Sequence, residues 1–254
     1  MSRVAAAPAA PTSASSTLPF VQLELAGQID LPDGRYLARE ADAERVLIVQ
    51  TLDAPRPRRG RRRARPADPA EPESVPVSRL TVAGGSELVD GEASGWLDSV
   101  ADDPERRSAA VRSATRLINR ALNALRAEAR DPLVQDIGAT RALAVRIGYG
   151  SGDQLAEGRW TEARELPPPR RGRLDDVDPQ TRVAAVLGGH DEVHPAETLL
   201  QRARLDAQQG RAPEARYGLR AAAAALEEEP GPREKSLREQ LEALEQRLDD
   251  SGRA

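Results

Sequence analysis

The order of apolar and polar residues divides this chain into a strand-rich first part and a helical last part. Residues 21–25 alternate between apolar and polar side chains, which is the period of a half-buried β-strand. Residues 45–52 form the most apolar and β-branched run, which predicts a central position in a sheet. Pro76 predicts either that its strand lies at an edge of the sheet or that the strand starts at this proline. The other predicted strands cover residues 36–38, 75–82 and 141–147.

Helical signals begin in the second hundred residues. Asp103-Pro104-Glu105 combines an N-cap carboxylate, a proline at the first helical position and an acid in the first turn. The apolar positions that follow keep one helix face apolar to about Ala129. A second, short helix is predicted to carry Leu155, Trp160, Ala163 and Leu166.

The last third is predicted to be entirely helical. One helix runs from Pro195 to a glycine at position 210, and a second begins at Pro213 and ends near Pro230. The small residues of this pair resemble a single tetratricopeptide-type hairpin of about 30 residues. The aromatic positions of that family are not filled, so the resemblance implies the hairpin and not a peptide-binding function. The small residues are Ala203, Gly210, Ala215 and Ala222.

The final helix has a short leucine seam with 4-3-4 spacing, two heptads long. Together the patterns predict an α+β fold with a small, mainly antiparallel sheet packed with helices, followed by an all-α helical-hairpin region. The predicted organisation is a disordered tail (1–17), an α+β domain (18–166) with a disordered insertion (53–74), a linker (167–178) and a helical region (179–254). The seam consists of Leu237, Leu241, Leu244 and Leu248.

Composition excludes several classes of protein. Leu, Ile, Val and Phe make up about 20% of the 254 residues, and the tail, insertion and linker contain few of them. The chain has no cysteine, which excludes disulfides, thiolate metal sites and cysteine nucleophiles. No apolar run approaches the roughly 20 residues that cross a bilayer, so we expect a cytoplasmic protein without a membrane partner. The six aromatic residues are scattered, which disfavours a base-stacking surface.

Ten residues inside the predicted insertion, 56–65, carry a charge of +7, whereas the whole chain carries −4. Guanidinium groups pair with phosphate and carboxylate oxygens, so this segment is a candidate anion-binding tether for nucleic acid or an acidic protein surface. The simpler interpretation is a solvated, arginine-rich insertion. The candidate anion-binding residues are Arg56, Arg58, Arg59, Arg61, Arg62, Arg63 and Arg65.

A glycine-rich run lies between a predicted strand and a predicted helix. Backbone N–H groups of Gly148, Gly150, Ser151 and Gly152 are candidates for cradling a phosphate. The run matches neither the dinucleotide-binding nor the P-loop pattern, and Asp153 would repel an anion there. A structural turn is therefore the favoured interpretation.

The only two histidines, His190 and His194, have the spacing of two ligands on one helix face. The preceding glycines and the following Pro195 favour a polar loop instead, which caps the next helix through its Asp or Glu. We expect no metal and no cofactor. Arginines 112, 116 and 120 form a stripe that is typical of a solvated helix face, with an anionic partner surface as the alternative.

These patterns favour a non-catalytic interaction or adaptor protein with an arginine-rich anion-binding loop. Its C-terminal helices are a candidate protein-binding surface. The alternatives are a nucleotide- or phosphate-binding enzyme that uses the Gly148–Asp153 loop, and sequence-nonspecific nucleic-acid binding through residues 56–65. No catalytic residues stand out from the sequence.

Overall fold

The computed structural model describes residues 17–40, 43–52, 75–85, 87–89, 91–167, 179–231 and 233–252. The chain forms two compact units, which divide between residues 170 and 171. The predicted α+β class is confirmed: the first unit contains an antiparallel sheet with helices, and the described part of the second is helical. The arginine-rich insertion lies outside the described residues, as do most of the predicted tail and linker.

The sheet has six antiparallel strands in the order β2-β3-β4-β1-β5-β6. The strands are β1 (Thr17–Ala26), β2 (Gly34–Glu40), β3 (Ala43–Leu52), β4 (Val77–Gly84), β5 (Ala142–Ser151) and β6 (Glu162–Glu165). The helices are α1 (Ala93–Ala101), α2 (Pro104–Ala129), α3 (Gly152–Ala156), α4 (Pro179–Leu187), α5 (Pro195–Gln208), α6 (Ala212–Glu228) and α7 (Glu234–Ser251), with a 3₁₀ turn at Ala139–Arg141.

One face of the sheet, which we call the first face, forms the main core with α1 and α2. Every second residue of β1 points to this side, including Leu23, which is fully buried. Helix α2 places Ile118 and Leu122 against the same core. Burial of these side chains supplies the main drive for packing the helices on the sheet.

The second face is covered in part by the β5–β6 connection, residues 152–161. Leu155 and Trp160 from this connection pack against Phe20 and Ile48 of the sheet. The Trp160 and Phe20 ring centroids are 5.9 Å apart. Ser151 and Gln154 form a reciprocal capping box that fixes the start of α3 within this connection.

The expected single helix through residues 155–166 is wrong. Leu155 and Trp160 pack on the second face, whereas Leu166 joins the core of the first face. One helix cannot serve both sides of a sheet, and Gly158 breaks it with a left-handed φ of +75°. Residues 162–165 add a sixth strand instead.

The strand predictions hold with three corrections. Residues 45–52 lie in β3, inside the sheet but next to an edge strand rather than at its centre. Pro76 precedes β4, which is an interior strand, so its start-of-strand interpretation is right and its edge interpretation is wrong. Strand β5 continues through the glycine run to Ser151.

The long helix α2 begins as predicted. The Asp103 carboxylate accepts hydrogen bonds from the backbone N–H groups of Glu105 and Arg106, at 2.8 and 3.2 Å. Asn119, fully buried in the middle of α2, exchanges two hydrogen bonds with the backbone of Ile137. Helix α2 therefore fixes the chain that leads into β5 as well as covering the sheet.

The second unit is built on a helical hairpin. Ala203 of α5 and Ala215 of α6 are fully buried. A Cβ on Gly218 would lie 3.0 Å from the Cβ of Ala203, so small residues set the close approach of the two helices. Helix α7 directs Leu244 into the same core. The leucine seam is thus used inside this unit.

Helix α4 is held to this unit by charge rather than by apolar packing. Arg182 forms two hydrogen bonds with the Glu197 carboxylate, at 2.6 and 2.8 Å, and pairs with Asp191 at 3.4 Å. Val183 and Leu187 are 57% and 83% exposed. The buried core of the unit comes from α5, α6 and α7.

The helices within the described ranges include none that combines the length and apolar character needed to cross a bilayer.

Replacing Arg182 with Ala should release α4 from its unit. The variant loses the ion pairs with Glu197 and Asp191, so the amides of α4 should exchange with solvent much faster, while those of α5 and α6 keep their protection. Hydrogen–deuterium exchange with mass spectrometry over residues 179–228 measures both. Arg202→Ala, which removes a more exposed partner of Asp206, is the control. Unchanged exchange in α4 of the Arg182 variant would show that the ion pairs do not hold the helix.

Candidate functional site

A row of polar side chains crosses the second face of the sheet beside the β5–β6 connection. Five adjacent strands, β3, β4, β1, β5 and β6, contribute one residue each. The strand register pairs neighbours in this set directly, except between β1 and β5. There the β5 residue lies opposite Gln22 and reaches the β1 residue diagonally. We call this set the polar row; it consists of Gln50, Arg79, Glu24, Arg146 and Glu165.

Glu24 is the centre of the polar row because two guanidinium groups converge on it. Its Oε1 atom accepts a hydrogen bond from Nε of Arg79 at 3.0 Å. The same oxygen lies 3.0 Å from Nη2 of Arg79 and 3.0 Å from Nη1 of Arg146. The three side chains are only 16 to 21% exposed. Burial acts to raise the pKa of the Glu24 carboxyl, but the hydrogen bonds and charges of Arg146 and Arg79 outweigh it and hold the pKa below its usual value.

Neighbouring side chains of the sheet and of the β5–β6 connection fix the orientation of the Arg146 side chain. Gln22 donates to Thr81 Oγ1 at 3.0 Å and accepts from Arg146 Nη1 at 3.3 Å. The guanidinium of Arg146 also lies 5.8 Å from the Trp160 ring centroid. The guanidinium is therefore held in one orientation, as an anion-recognition group requires.

The outer side of Arg146 meets an exposed partner. Its Nη2 atom lies 3.1 Å from Oε2 of Glu165, whose side chain is 61% exposed. An ion pair with such an exposed partner contributes little stability, so a ligand carboxylate or phosphate can take the place of Glu165 at small cost. Because Glu24 is ionised at neutral pH, the polar row is suited to binding charge rather than to transferring protons.

The predicted anion-binding arginines at 56–65 lie outside the described residues, but the described residues show where their insertion is attached. Residues 53–76 connect β3 to β4, and Leu52 pairs with Val77 at the base. The Gly27 N–H donates to the Pro76 carbonyl at 2.7 Å. The Gln50–Arg79 pair of the polar row lies two residue pairs from this base.

The glycine run has a structural explanation in the sheet. A Cβ on Gly148 would lie 2.2 Å from the carbonyl oxygen of Glu162, so only glycine permits β6 to pair there. Gly150 is buried, and a Cβ added to it would lie 3.1 Å from the Cα of Trp160. The Ser151 N–H donates to Gln154 Oε1 at 3.0 Å. This geometry supports the turn interpretation, and phosphate binding there stays a prediction.

The two histidines lie at the end of the second unit, where a cleft of about 340 Å³ separates the loop before α5 from the turn before α7. His194 caps α5: its Nδ1 accepts from the Ala196 N–H at 3.1 Å, and its Nε2 lies 2.7 Å from the Glu229 carbonyl oxygen. The expected cap through Asp or Glu is therefore wrong. Both imidazole nitrogens of His194 are therefore in contact with backbone groups. The described residues include no group of three or more side chains that could hold a metal ion.

The walls of this cleft are charged but mutually neutralised. Arg182 and Arg233 pair with Asp191 and Glu197. The hydrogen bonds from Arg182 outweigh desolvation and lower the pKa of the Glu197 carboxyl. Two cations and two anions in contact form a closed network, which fits a structural role in holding α4 and the turn at position 233.

The arginine stripe on α2 behaves as a solvated face. Arg112 is exposed, and Arg120 lies 3.9 Å from Glu40 with its own side chain 55% exposed. Such pairs at the surface contribute little to stability. Arg116 is exposed on the same stripe.

Sequence reasoning missed the polar row. Four of its members are polar residues of predicted strands, whereas Glu165 lay in the helix that the sequence wrongly predicted. Their convergence depends on the strand order, which places β1 between β4 and β5.

Comparisons of the chain with protein-family models, curated proteins and solved structures find no match.

Replacing Glu24 with Gln should destabilise the first unit by about 3 kcal/mol at pH 7, because two partly buried guanidiniums lose their shared charge. The native pKa is lowered, so the charge stabilises the fold above the ordinary carboxyl pKa, and this gain is lost as the pH falls through the native value. The difference between the proteins should thus shrink from about pH 5 towards pH 3.

Urea unfolding followed by tryptophan fluorescence measures this effect, since Trp96 and Trp160 both lie in the first unit. Glu157→Gln, which removes an exposed partner of Arg159, is the control and should cost less than about 1 kcal/mol. A loss for Glu24→Gln that is equally small, or that does not depend on pH, would contradict the assigned role.

Gly148→Ala should separate β6 from β5 and destabilise the first unit by about 1–3 kcal/mol, because the new Cβ meets backbone rather than a movable side chain. Gly152→Ala is the matched control, since its Cβ would lie 3.9 Å from the nearest atom, on Leu18. The same fluorescence assay compares them. Equal effects would contradict the strand-pairing explanation of the glycine run.

Proposed function

We propose that this protein is a non-catalytic adaptor that binds an acidic surface of a partner protein through the arginine-rich insertion between β3 and β4. The observation that carries the proposal is the attachment of the insertion. Its two ends leave adjacent interior strands that are paired up to Leu52 and Val77. Between these two strands the sequence carries seven arginines, without an acid between 56 and 65.

The base of the insertion is fixed by further contacts. The Asp33 carboxylate accepts from the N–H and the hydroxyl of Thr51, at 3.0 and 2.8 Å. Ser78, fully buried, donates to the Gly27 carbonyl at 2.9 Å. These contacts fix the two described ends of the insertion, and a fixed attachment favours binding because fewer groups must be ordered.

The aromatic residues of the first unit give no support to the binding of a single-stranded nucleic acid. Phe20 and Trp160 pack in the second-face core, and Trp96 packs against the first-face core. The hydroxyl groups of Tyr36 and Tyr149 donate to the Pro32 carbonyl and the Glu162 carboxylate, each at 2.7 Å. These rings are engaged within the fold, so base stacking gains no support from them. Charge alone is then the basis of recognition.

The helical unit is the second half of the proposed adaptor. Its exposed apolar side chains, Val183 and Leu187 on α4 and Tyr217 on α6, offer contact area to a further protein. The lack of cysteine fits a reducing compartment, and we place the adaptor in the cytoplasm.

The test replaces Arg58, Arg59, Arg61, Arg62 and Arg63 with Ser in the full chain. Binding to poly-L-glutamate, which represents an acidic protein surface, is measured as a function of salt beside binding to poly-uridylate and duplex DNA. At roughly 0.5 kcal/mol for each exposed ion pair, the five replacements should weaken poly-L-glutamate binding about fifty- to a hundredfold at low salt.

A matched variant loses five exposed arginines elsewhere and should bind nearly as wild type. Failure of the wild-type chain to bind poly-L-glutamate at low salt would overturn the proposal. Binding to the nucleic acids but not to poly-L-glutamate would overturn the protein partner and select the nucleic-acid alternative. The matched replacements are Arg106, Arg112, Arg141, Arg220 and Arg247, each to Ser.

A further inference from the structure

Strand β2 forms one edge of the sheet, where its backbone is available for pairing. Within the described residues it pairs with β3 on one side only. It is seven residues long, whereas β6 at the opposite edge has four. An edge strand directs the N–H and C=O groups of every second residue outward, which makes it a template for another extended chain.

Three alternate residues of β2 project from the second face of the sheet. Arg35, Leu37 and Arg39 lie opposite Ile48, Val46 and Glu44 of β3, and residues opposite each other in an antiparallel pair share a face. Leu37 is 57% exposed, which is unusual for a leucine at a sheet edge between two cations. The edge thus presents the side-chain order cation, apolar, cation.

The strand is held in place from its other face. Tyr36 and Ala38 pack against the first-face core, and the Tyr36 hydroxyl donates to the Pro32 carbonyl at 2.7 Å. Arg39 pairs with Glu44 at 3.2 Å, but the two side chains are 77% and 65% exposed. Such a pair exchanges its partner at little cost, so Arg39 can turn to a ligand carboxylate.

Charge disfavours a second copy of this strand as the occupant. An antiparallel pair of β2 strands centred on Leu37 would place Arg35 of one copy opposite Arg39 of the other. Like charges directly opposite each other destabilise a strand pair. The complementary sequence instead has acids at the two flanking positions and an apolar residue between them.

We propose that the edge of β2 is a docking site for an extended segment of a partner protein with the alternation acid–x–apolar–x–acid, which adds a seventh strand to the sheet. Main-chain hydrogen bonds supply the pairing, and the two arginines and Leu37 select the side chains. The site deepens the proposed adaptor function, because its ligand is also an acidic protein, but it uses residues separate from the insertion.

The probe is the synthetic peptide Thr-Glu-Thr-Val-Thr-Glu-Thr, compared with Thr-Lys-Thr-Val-Thr-Lys-Thr, both labelled for fluorescence anisotropy with the full chain. At low salt the glutamate peptide should bind at least about tenfold more tightly, since two attractive cross-strand pairs replace two repulsive ones. Hydrogen–deuterium exchange should slow in residues 34–40 on binding.

Charge reversal provides the decisive variant. Arg35→Glu combined with Arg39→Glu should reverse the preference between the two peptides. Leu37→Ser should weaken binding of the glutamate peptide, which should still bind more tightly than the lysine peptide. Arg112→Glu combined with Arg220→Glu changes the net charge equally and should leave the preference intact. All these positions are exposed, so the variants should fold.

The five-arginine variant of the insertion separates this site from the proposed function. If it still binds the glutamate peptide, the β2 site is supported independently of the insertion. Loss of peptide binding in that variant, an equal effect of the Arg112 and Arg220 control, or no preference between the peptides would each overturn the β2 site. None of these results alters the poly-L-glutamate test of the insertion.

Discussion

The burial of β1 on both faces, between β4 and β5, is the constraint on which the first unit depends. This strand sends Leu23 into the core beneath α1 and α2 and Phe20 into the smaller core beneath the β5–β6 connection. A shift of one residue in register would exchange the two sets of side chains. Because β4 and β5 pair along nearly the whole of β1, their register follows from it, and so do the positions of Arg79 and Arg146 relative to Glu24.

The polar row makes that register specific. Removing the charges of Glu24, Arg79 and Arg146 from water costs free energy. Only the observed strand register brings them into the three contacts of 3.0 Å that offset this cost. The row also lies beside the base of the β3–β4 insertion. The ion pairs that specify the sheet therefore also stiffen the hairpin from which the arginine-rich segment leaves, and this links the fold to the proposed anion-binding function.

Much of the fold could be predicted from local patterns, because those patterns reflect local physics. Alternation identified β1 and β4, the apolar and β-branched run identified β3, and the Asp103-Pro104 start identified α2. The helix expected at 155–166 failed because its apolar residues serve opposite faces of the sheet, which only tertiary structure reveals. The His194 cap was missed because histidine is not among the residues preferred at the N-cap, whereas Asp is. The polar row and the β2 edge needed the strand order, which distant parts of the chain determine together.

The central claim is that the first unit binds its acidic partner through the insertion held by β3 and β4. Hydrogen–deuterium exchange of the full chain, with and without poly-L-glutamate, tests this claim most directly. We expect slower exchange at the ends of the hairpin, residues 50–52 and 75–79, and unchanged exchange in α5, α6 and α7. Protection confined to those helices, or binding without any protection at the hairpin ends, would contradict it.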